Sequence, residues 1–465
     1  MRKTFVCLVT AFLMIGISLH SITYSKENEH LVDKKLSSSP QNVILMIGDG
    51  MGAGQIEIAR LLEYGKEGRL FLESLPFVSL VHTSSADHTV TDSAAGGTAL
   101  AIGKKTNNGM VGVTPDGKEA TSILDTFKKN GKKTGVISTN TVTDATPAAF
   151  TASVNNRWSG QDEIARQQLK NGVDVLLGGG ADVFKPKHQN GKNLIKEAMN
   201  DGYTFVSTRD ELLNANGNKL LGLFHSSYMS FKLDRKLINS QEPSLKEMTK
   251  KAIEFLSKGN NGFFLMCEGA RIDHASHAAD LTSVWKEVIE FDHAVQYAVD
   301  WAKKDQNTLV LVAADHETMG ISATEPLDIK GLKQVKASPE YMVMQFIKKT
   351  NSMEYDPESI KNVVKEYANI ELTADEIQQY NESIMDESGL VYPQYAAAWE
   401  LGSVLAKHFN AGIVQRKVRS ISTTGGHTSN PIILFAYGKG GDVFHGVLEN
   451  TDVPKKIAQL MNYDF

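Results

Sequence analysis

Thr91-Asp-Ser-Ala-Ala-Gly-Gly-Thr98 sets one hydroxyl, Ser93, behind a carboxylate at the start of a run of very small residues that suits a helix. A helix start offers free N–H groups and a partial positive charge, both suited to a phosphate. Gly96 and Gly97 each cost about 1 kcal/mol against alanine inside a helix, so their presence implies that something approaches this backbone closely. The plain alternative is a serine that caps an ordinary buried helix. What separates the two is the rest of the chain, which supplies acids and histidines in several separate places.

Asp49 lies in Gly48-Asp-Gly-Met-Gly-Ala53. The run fits the loose dinucleotide pattern, but a pyrophosphate would meet the Asp49 carboxylate, and His82-Thr-Ser84 offers no acid for a ribose. Asp49 therefore reads as a metal ligand. Glu268-Gly-Ala-Arg-Ile-Asp-His-Ala-Ser-His277 holds two acids and two histidines. Asp273 and His277 are four apart, so on a helix they share a face and can grip one ion. Asp315-His316 is a further donor pair, and His427, after Gly425-Gly426, a lone donor. Carboxylate with imidazole suits zinc, while carboxylate, hydroxyl and water suit magnesium. Arg157, downstream of Asp144-Ala-Thr-Pro-Ala-Ala149, can hold two phosphate oxygens if a carboxylate steadies it. His82, His88, His225 and His445 lack such company and are expected to be packing or surface residues, with His88 near the site mouth.

These residues need elements to carry them. Strands are predicted at 42–47, 77–82, 134–139, 173–177, 263–267, 308–314 and 431–437, with Gly178-Gly-Gly180 as a loop, and helices at 53–65, 122–130, 245–256 and 281–304. Continuous apolar strands separated by helices imply an α/β fold: a doubly wound, mostly parallel sheet with helices on both faces. Ligands of such sheets collect beyond the carboxyl ends of the strands. Asp49, Asp144, Thr146, Glu268, Asp315 and His316 all follow predicted strands, so they fall on one edge. Gathered carboxylates repel and are costly to desolvate unless a cation sits among them.

At 465 residues the chain suits one large α/β unit with an insertion, or two domains. A net charge of −5 gives no reason to expect nucleic acid or an anionic membrane as partner. Arg2 and Lys3 precede an apolar run that is too short for a comfortable membrane span and has the layout of a secretory signal. The expected division is a signal over 1–24, a linker over 25–41, a catalytic core over 42–321, a helical insertion over 322–420 and the core's last part over 421–465. Helices in the insertion are predicted at 339–349, 357–368, 373–379 and 394–409, with Tyr395 and Trp399 facing either a core or a neighbour. Without the signal Cys267 is alone, so no intramolecular disulfide is expected.

Taken together, Ile47-Gly-Asp-Gly-Met-Gly52, Val90-Thr-Asp-Ser-Ala-Ala95, Asp144 to Ala149, Glu268 to His277, Ala314-Asp-His316 and Gly426-His-Thr428 make the chain resemble the bacterial alkaline phosphatases. The resemblance runs in the family's order from about residue 42 to the C-terminus. It implies two zinc ions and one magnesium: Asp273, His277 and His427 on the first zinc, Asp49, Asp315 and His316 on the second, with Asp49 bridging to a magnesium completed by Thr146 and Glu268. Ser93 would be the nucleophile, Arg157 the phosphate clamp, and Asp92 the carboxylate steadying Arg157. Asp144 and His274 fall at positions near the magnesium and the phosphate that vary in the family, and His274 stands where the best-known enterobacterial member has a lysine. The activity implied is hydrolysis of phosphate monoesters through a phosphoserine, in a periplasmic or secreted protein whose insertion forms a crown or lid and allows a homodimer. A phosphodiesterase or sulfatase-type member of the superfamily, or an inactive metal-binding protein, is the alternative.

Overall fold

Asn42–Gly48 (β1) is apolar except at its first residue and buried throughout, as a strand covered on both faces must be. The structure, a computed structural model, describes residues 39–350, 354–386 and 391–465. The expected signal segment lies outside these residues, as does the linker before residue 39. The other strands are Phe77–His82 (β2), Lys133–Thr141 (β3), Val175–Gly179 (β4), Tyr203–Val206 (β5), Lys219–Leu223 (β6), Phe263–Gly269 (β7), Thr308–Ala313 (β8), Glu317–Thr318 (β9), His427–Thr428 (β10), Ile432–Gly438 (β11) and Gly446–Glu449 (β12).

Ten of them form one sheet in the order β12-β2-β11-β8-β1-β7-β3-β4-β6-β5, and β9 pairs with β10 apart from it. The sheet is parallel except that β11 runs against both β2 and β8. Helices cover both faces, as neighbouring residues of β7 show. Phe263 packs on Trp301 of the long helix Leu281–Asp305, with ring centroids 5.5 Å apart. Phe264, pointing the opposite way, packs on Phe127 of the helix Ile123–Lys129 at 5.1 Å and on Phe150 at 6.1 Å.

Most predicted elements match to within two residues, but the strands β5, β6, β9, β10 and β12 are additional. β5 and β12 are short edge strands, and β12 leaves Val447 exposed, so neither carries a buried apolar run to read. The loop expected at Gly178-Gly-Gly180 begins later: Gly178 and Gly179 belong to β4, and a Cβ on Gly179 would lie 2.1 Å from the Ser227 carbonyl oxygen. Between β9 and β10 the chain is helical at Ile329–Leu332, Pro339–Gln345, Pro357–Ala368, Ala374–Ser383, Gln394–His408 and Arg416–Ile421. The helix expected over 339–349 stops at Gln345. Cys267 is buried and free, and burial pushes its thiol up to about 12. No helix among the described residues is long and apolar enough to cross a membrane.

Phe264 is fully buried in the layer that holds β7 against its helix. Phe264→Ala should cost about 3–5 kcal/mol, read as a lowered urea midpoint with an unchanged slope.

Candidate active site

β8, β1, β7 and β3 are consecutive parallel neighbours, so their carboxyl ends lie side by side. Register aligns what they carry: Ile47 pairs with both Glu268 and Ala313, and Ser138 also pairs with Glu268. Asp49 follows β1, Asp315 follows β8, Glu268 is the last residue but one of β7, and Asp144 and Thr146 follow β3. The acids do share one edge of the sheet.

Ser93 is the first residue of the helix Ser93–Ile102, but it is not the cap. Asp92 caps, accepting from the Ala95 N–H at 2.9 Å, while its other carboxylate oxygen accepts from the Gly109 N–H at 2.9 Å. Ser93 Oγ is thereby free of capping and lies 3.2 Å from His316 Nε2. A Cβ on Gly96 would lie 2.8 Å from the Asp315 carbonyl oxygen, and one on Gly97 would lie 3.0 Å from Thr146 Cα. What approaches this helix is the protein's own donor-bearing backbone.

Two donor clusters share His316. Ligand atoms of Asp49, Asp315 and His316 lie within 4.8 Å of one another, as do those of Asp273, His316 and His427. His277 joins the second, its Nε2 3.2 Å from Asp273 Oδ2 and 3.1 Å from His427 Nε2. All three imidazoles are held by the far nitrogen. Nδ1 meets the Gly425 carbonyl oxygen at 2.9 Å in His277, the Thr91 carbonyl oxygen at 2.9 Å in His427, and Thr318 Oγ1 at 3.2 Å in His316. Such contacts aim Nε2 into the cluster, as metal-ligating histidines require.

The electrostatics point the same way. Burial, and then the charges of Asp315 and Asp273, raise the Asp49 carboxyl well above its usual range. Burial does the same to Glu268, and takes Asp315 up to about 7. Asp49 Oδ1 and Glu268 Oε1 are buried with no hydrogen-bond partner. Orphaned carboxylate oxygens of this kind cost free energy unless a cation takes them. Burial also lowers His316 to about 4 and His427 well below its usual range, keeping both imidazoles neutral, the form that ligates. Thr146 Oγ1 lies 3.4 Å from Asp315 Oδ2. The donor set therefore fits divalent cations.

Arg157 Nη2 donates to both oxygens of Asp144, at 2.8 and 3.0 Å, while its Nη1 lies 3.7 Å from Asp92. The carboxylate that grips the guanidinium closest is thus Asp144, with Asp92 behind it. Against burial, the two acids raise the Arg157 pKa above its ordinary value. His274 packs Nδ1 against Arg271 Nη1, and burial followed by the Arg271 charge lowers it to about 4. It is therefore neutral at physiological pH and does not replace a lysine's charge. His88 pairs with Asp87 at 3.1 Å and joins neither cluster.

Three supporting residues are missed by sequence reasoning. Thr318 Oγ1 donates to Asp273 Oδ1 at 2.5 Å, and Ser138 donates to Glu268. Glu317 accepts from Gln55 Nε2 at 3.1 Å and from Thr428. The pairs His427–Thr318 and Thr428–Glu317 form the short β9–β10 ladder that delivers His427 from the far end of the chain. Gly50, at φ +66°, is required here, since a Cβ would lie 2.7 Å from both Asp273 Oδ1 and Thr318 Oγ1. Two-residue strands carry no periodicity, so the unbroken polar run Asp315-His-Glu-Thr318 is the one signal that points to Glu317 and Thr318.

Helix propensity alone gives Gly96→Ala about 1 kcal/mol of added stability; contact with Asp315 reverses the sign. The variant should show a lowered urea midpoint and lose activity, and a raised midpoint would contradict the contact.

Residues 40–463 match the family model described as alkaline phosphatase. Alkaline phosphatase 4 of Bacillus subtilis is 33% identical, the alignment covering 98% of this chain and 95% of the relative. The crystal structure of Thermus thermophilus alkaline phosphatase is 27% identical and covers 93% of each chain at a TM-score of 0.82. A mutant of TAB5 alkaline phosphatase, 28% identical at a TM-score of 0.67 and covering 92% of this chain and all of its own, has Mg bound in its M3 site. The family model spans nearly the whole chain and the relatives are phosphomonoester hydrolases, so the chain belongs to the alkaline phosphatase family.

Proposed function

We propose that this alkaline phosphatase works through a phosphoserine on Ser93 at a site of two zinc ions and one magnesium. Asp273, His277 and His427 would hold the first zinc, Asp49, Asp315 and His316 the second, and Asp49, Thr146 and Glu268 the magnesium. The observation that carries this reading is the uncapped Ser93 hydroxyl 3.2 Å from His316 Nε2, the ring common to both donor clusters. When bound, the cations supply Lewis acidity that lowers the pKa of the hydroxyl and offsets charge on the departing alkoxide.

The chain's own residues do the rest. Ser93 Oγ gives its proton to water and attacks phosphorus in line, the ester P–O bond breaks, and the alcohol leaves as its alkoxide, which takes a proton back from water. Water then attacks the phosphoserine, the Oγ–P bond breaks, and inorganic phosphate leaves with the Ser93 hydroxyl restored. Arg157 orients two of the phosphate oxygens throughout, itself fixed by Asp144 and Asp92. A clamp of this kind beside a buried nucleophile favours a terminal phosphate dianion over a diester. Arg2 and Lys3 ahead of the apolar segment support export to the periplasm or beyond, with 42–321 and 421–465 as the catalytic core and 322–420 as the helical insertion.

Ser93→Ala should abolish labelling of the protein by a radioactive phosphate ester and remove most turnover of a chromogenic monoester. Unchanged turnover would sink the covalent route. Arg157→Ala should weaken competitive inhibition by inorganic phosphate roughly 10- to 150-fold, corresponding to about 1.5–3 kcal/mol for a charge-assisted hydrogen bond. Chelation should abolish monoester hydrolysis and lower the melting temperature, because the buried carboxylates lose their counter-charge. Added zinc and magnesium should restore both, whereas chelator-resistant activity would reject the metal assignment.

A further inference from the structure

Trp399, on the helix Gln394–His408, lays its ring on His277 at 4.7 Å and 11° between planes. On the phosphatase reading His277 holds the cation on the leaving-group side, and Trp399 stacks on that ligand while His274, next in sequence to Asp273, shares a cavity wall with it. A cavity of about 140 Å³ opens there, walled by Tyr228, Phe231, Arg271, His274, Tyr395 and Trp399. Its volume is close to that of an apolar protein cavity that accepts benzene, about 150 Å³.

The walls are rigid and aromatic. Tyr395 meets Trp399 edge-on at 5.6 Å, and Tyr228 meets His274 edge-on at 5.2 Å. The fully buried Arg271 guanidinium lies 3.6 Å over the Phe231 ring and 4.3 Å over the Tyr228 ring, and is tied to Glu340 at 3.0 Å. That ion pair joins the helix bearing Asp273 and His277 to the helix Pro339–Gln345 and props the cavity open between them. Asp234 accepts from the Ser338 N–H at 2.8 Å and from its hydroxyl at 2.5 Å, fixing the opposite wall.

We propose that this cavity is a leaving-group subsite that takes the aromatic ring of aryl phosphate monoesters, stacked among Tyr228, Tyr395 and Trp399. The inference rests on the phosphomonoesterase reading, which places the ester oxygen beside His277. A ring seated here gains edge and face contacts that a short polyol cannot make, so the subsite separates aryl from alkyl esters. The segment between β9 and β10 supplies Glu340, Tyr395 and Trp399, which makes it a source of substrate preference.

Tyr395 is half-exposed and its ring meets Trp399 rather than a donor residue, so its replacement should leave fold and donor clusters intact. Compare phenyl phosphate with glycerol phosphate, and phenylphosphonate with methylphosphonate, on the metal-loaded wild type and on Tyr395→Ala and Tyr228→Ala. The wild type should prefer phenyl phosphate in kcat/KM and bind phenylphosphonate more tightly in calorimetry. Both preferences should fall roughly 10-fold in the variants, mainly through KM. Unchanged ratios in either variant, with hydrolysis intact, overturn the subsite. Binding that keeps its phenyl preference without any hydrolysis supports the subsite and overturns the phosphatase reading instead.

Discussion

Mutual repulsion among buried carboxylates is the constraint that the rest of the molecule answers. Asp49, Glu268 and Asp315 leave adjacent strand ends within one water-poor volume, and burial pushes all three carboxyls upward, helped by the Asp315 charge on Asp49 and Glu268 and by the Asp273 charge on Asp315. A fold selected for stability alone would not place them there. The lone pairs left without hydrogen bonds on Asp49 and Glu268 are the residue of that conflict, and divalent cations resolve it. On the proposed reading stability and catalysis are joined: the ions that would relieve the strain between the acids are those that would polarise the ester.

Close approach follows from the same need. Carboxylates that share ions must bring their backbones together, and side chains in between would prevent it. Gly96 and Gly97 let the serine helix sit against the segments carrying Asp315 and Thr146, and Gly50 leaves room for Asp273 and Thr318. Asp92 then takes over the capping task that a serine at a helix start would otherwise perform. One carboxylate, placed a residue earlier, both finishes the helix and leaves the Ser93 hydroxyl free of capping.

Much of this is legible in the order of the amino acids. Runs such as Asn42–Gly48 and Phe263–Gly269 are apolar because both faces of the sheet are covered, so the strands next to the site declare themselves, and the acids follow them directly. The costly glycines beside Ser93 announce a close contact, though not its partner. The outer strands β5 and β12 are too short or too exposed to show a period, and β6 is interrupted by Gly222. Pairings across a hundred residues or more, such as His427 with Thr318, leave no local trace at all. The same holds for Arg157: a guanidinium advertises its need for an acid, but whether Asp92 or Asp144 stands closer is decided by the fold.

The helical segment between β9 and β10 acquires a role from where its side chains end up. By sequence alone Tyr395 and Trp399 can face either a core or a neighbour. In the fold they face a cavity one ring away from His277, while Arg419 of the last helix in this segment donates to the His277 and Trp399 carbonyl oxygens, at 3.4 and 3.2 Å, and to Glu400 at 2.6 Å. The aromatic wall and the imidazole it stacks on are thus locked to the same buried guanidinium. A change in this segment can reach the donor clusters through that ring stack, through Arg419 on the His277 carbonyl oxygen, or through the shape of the cavity. The donor clusters themselves are built from the sheet edge, the helix Arg271–His277 and the β9–β10 ladder, so on the proposed reading the metal donors and most of the surface that would meet the alcohol come from different parts of the chain.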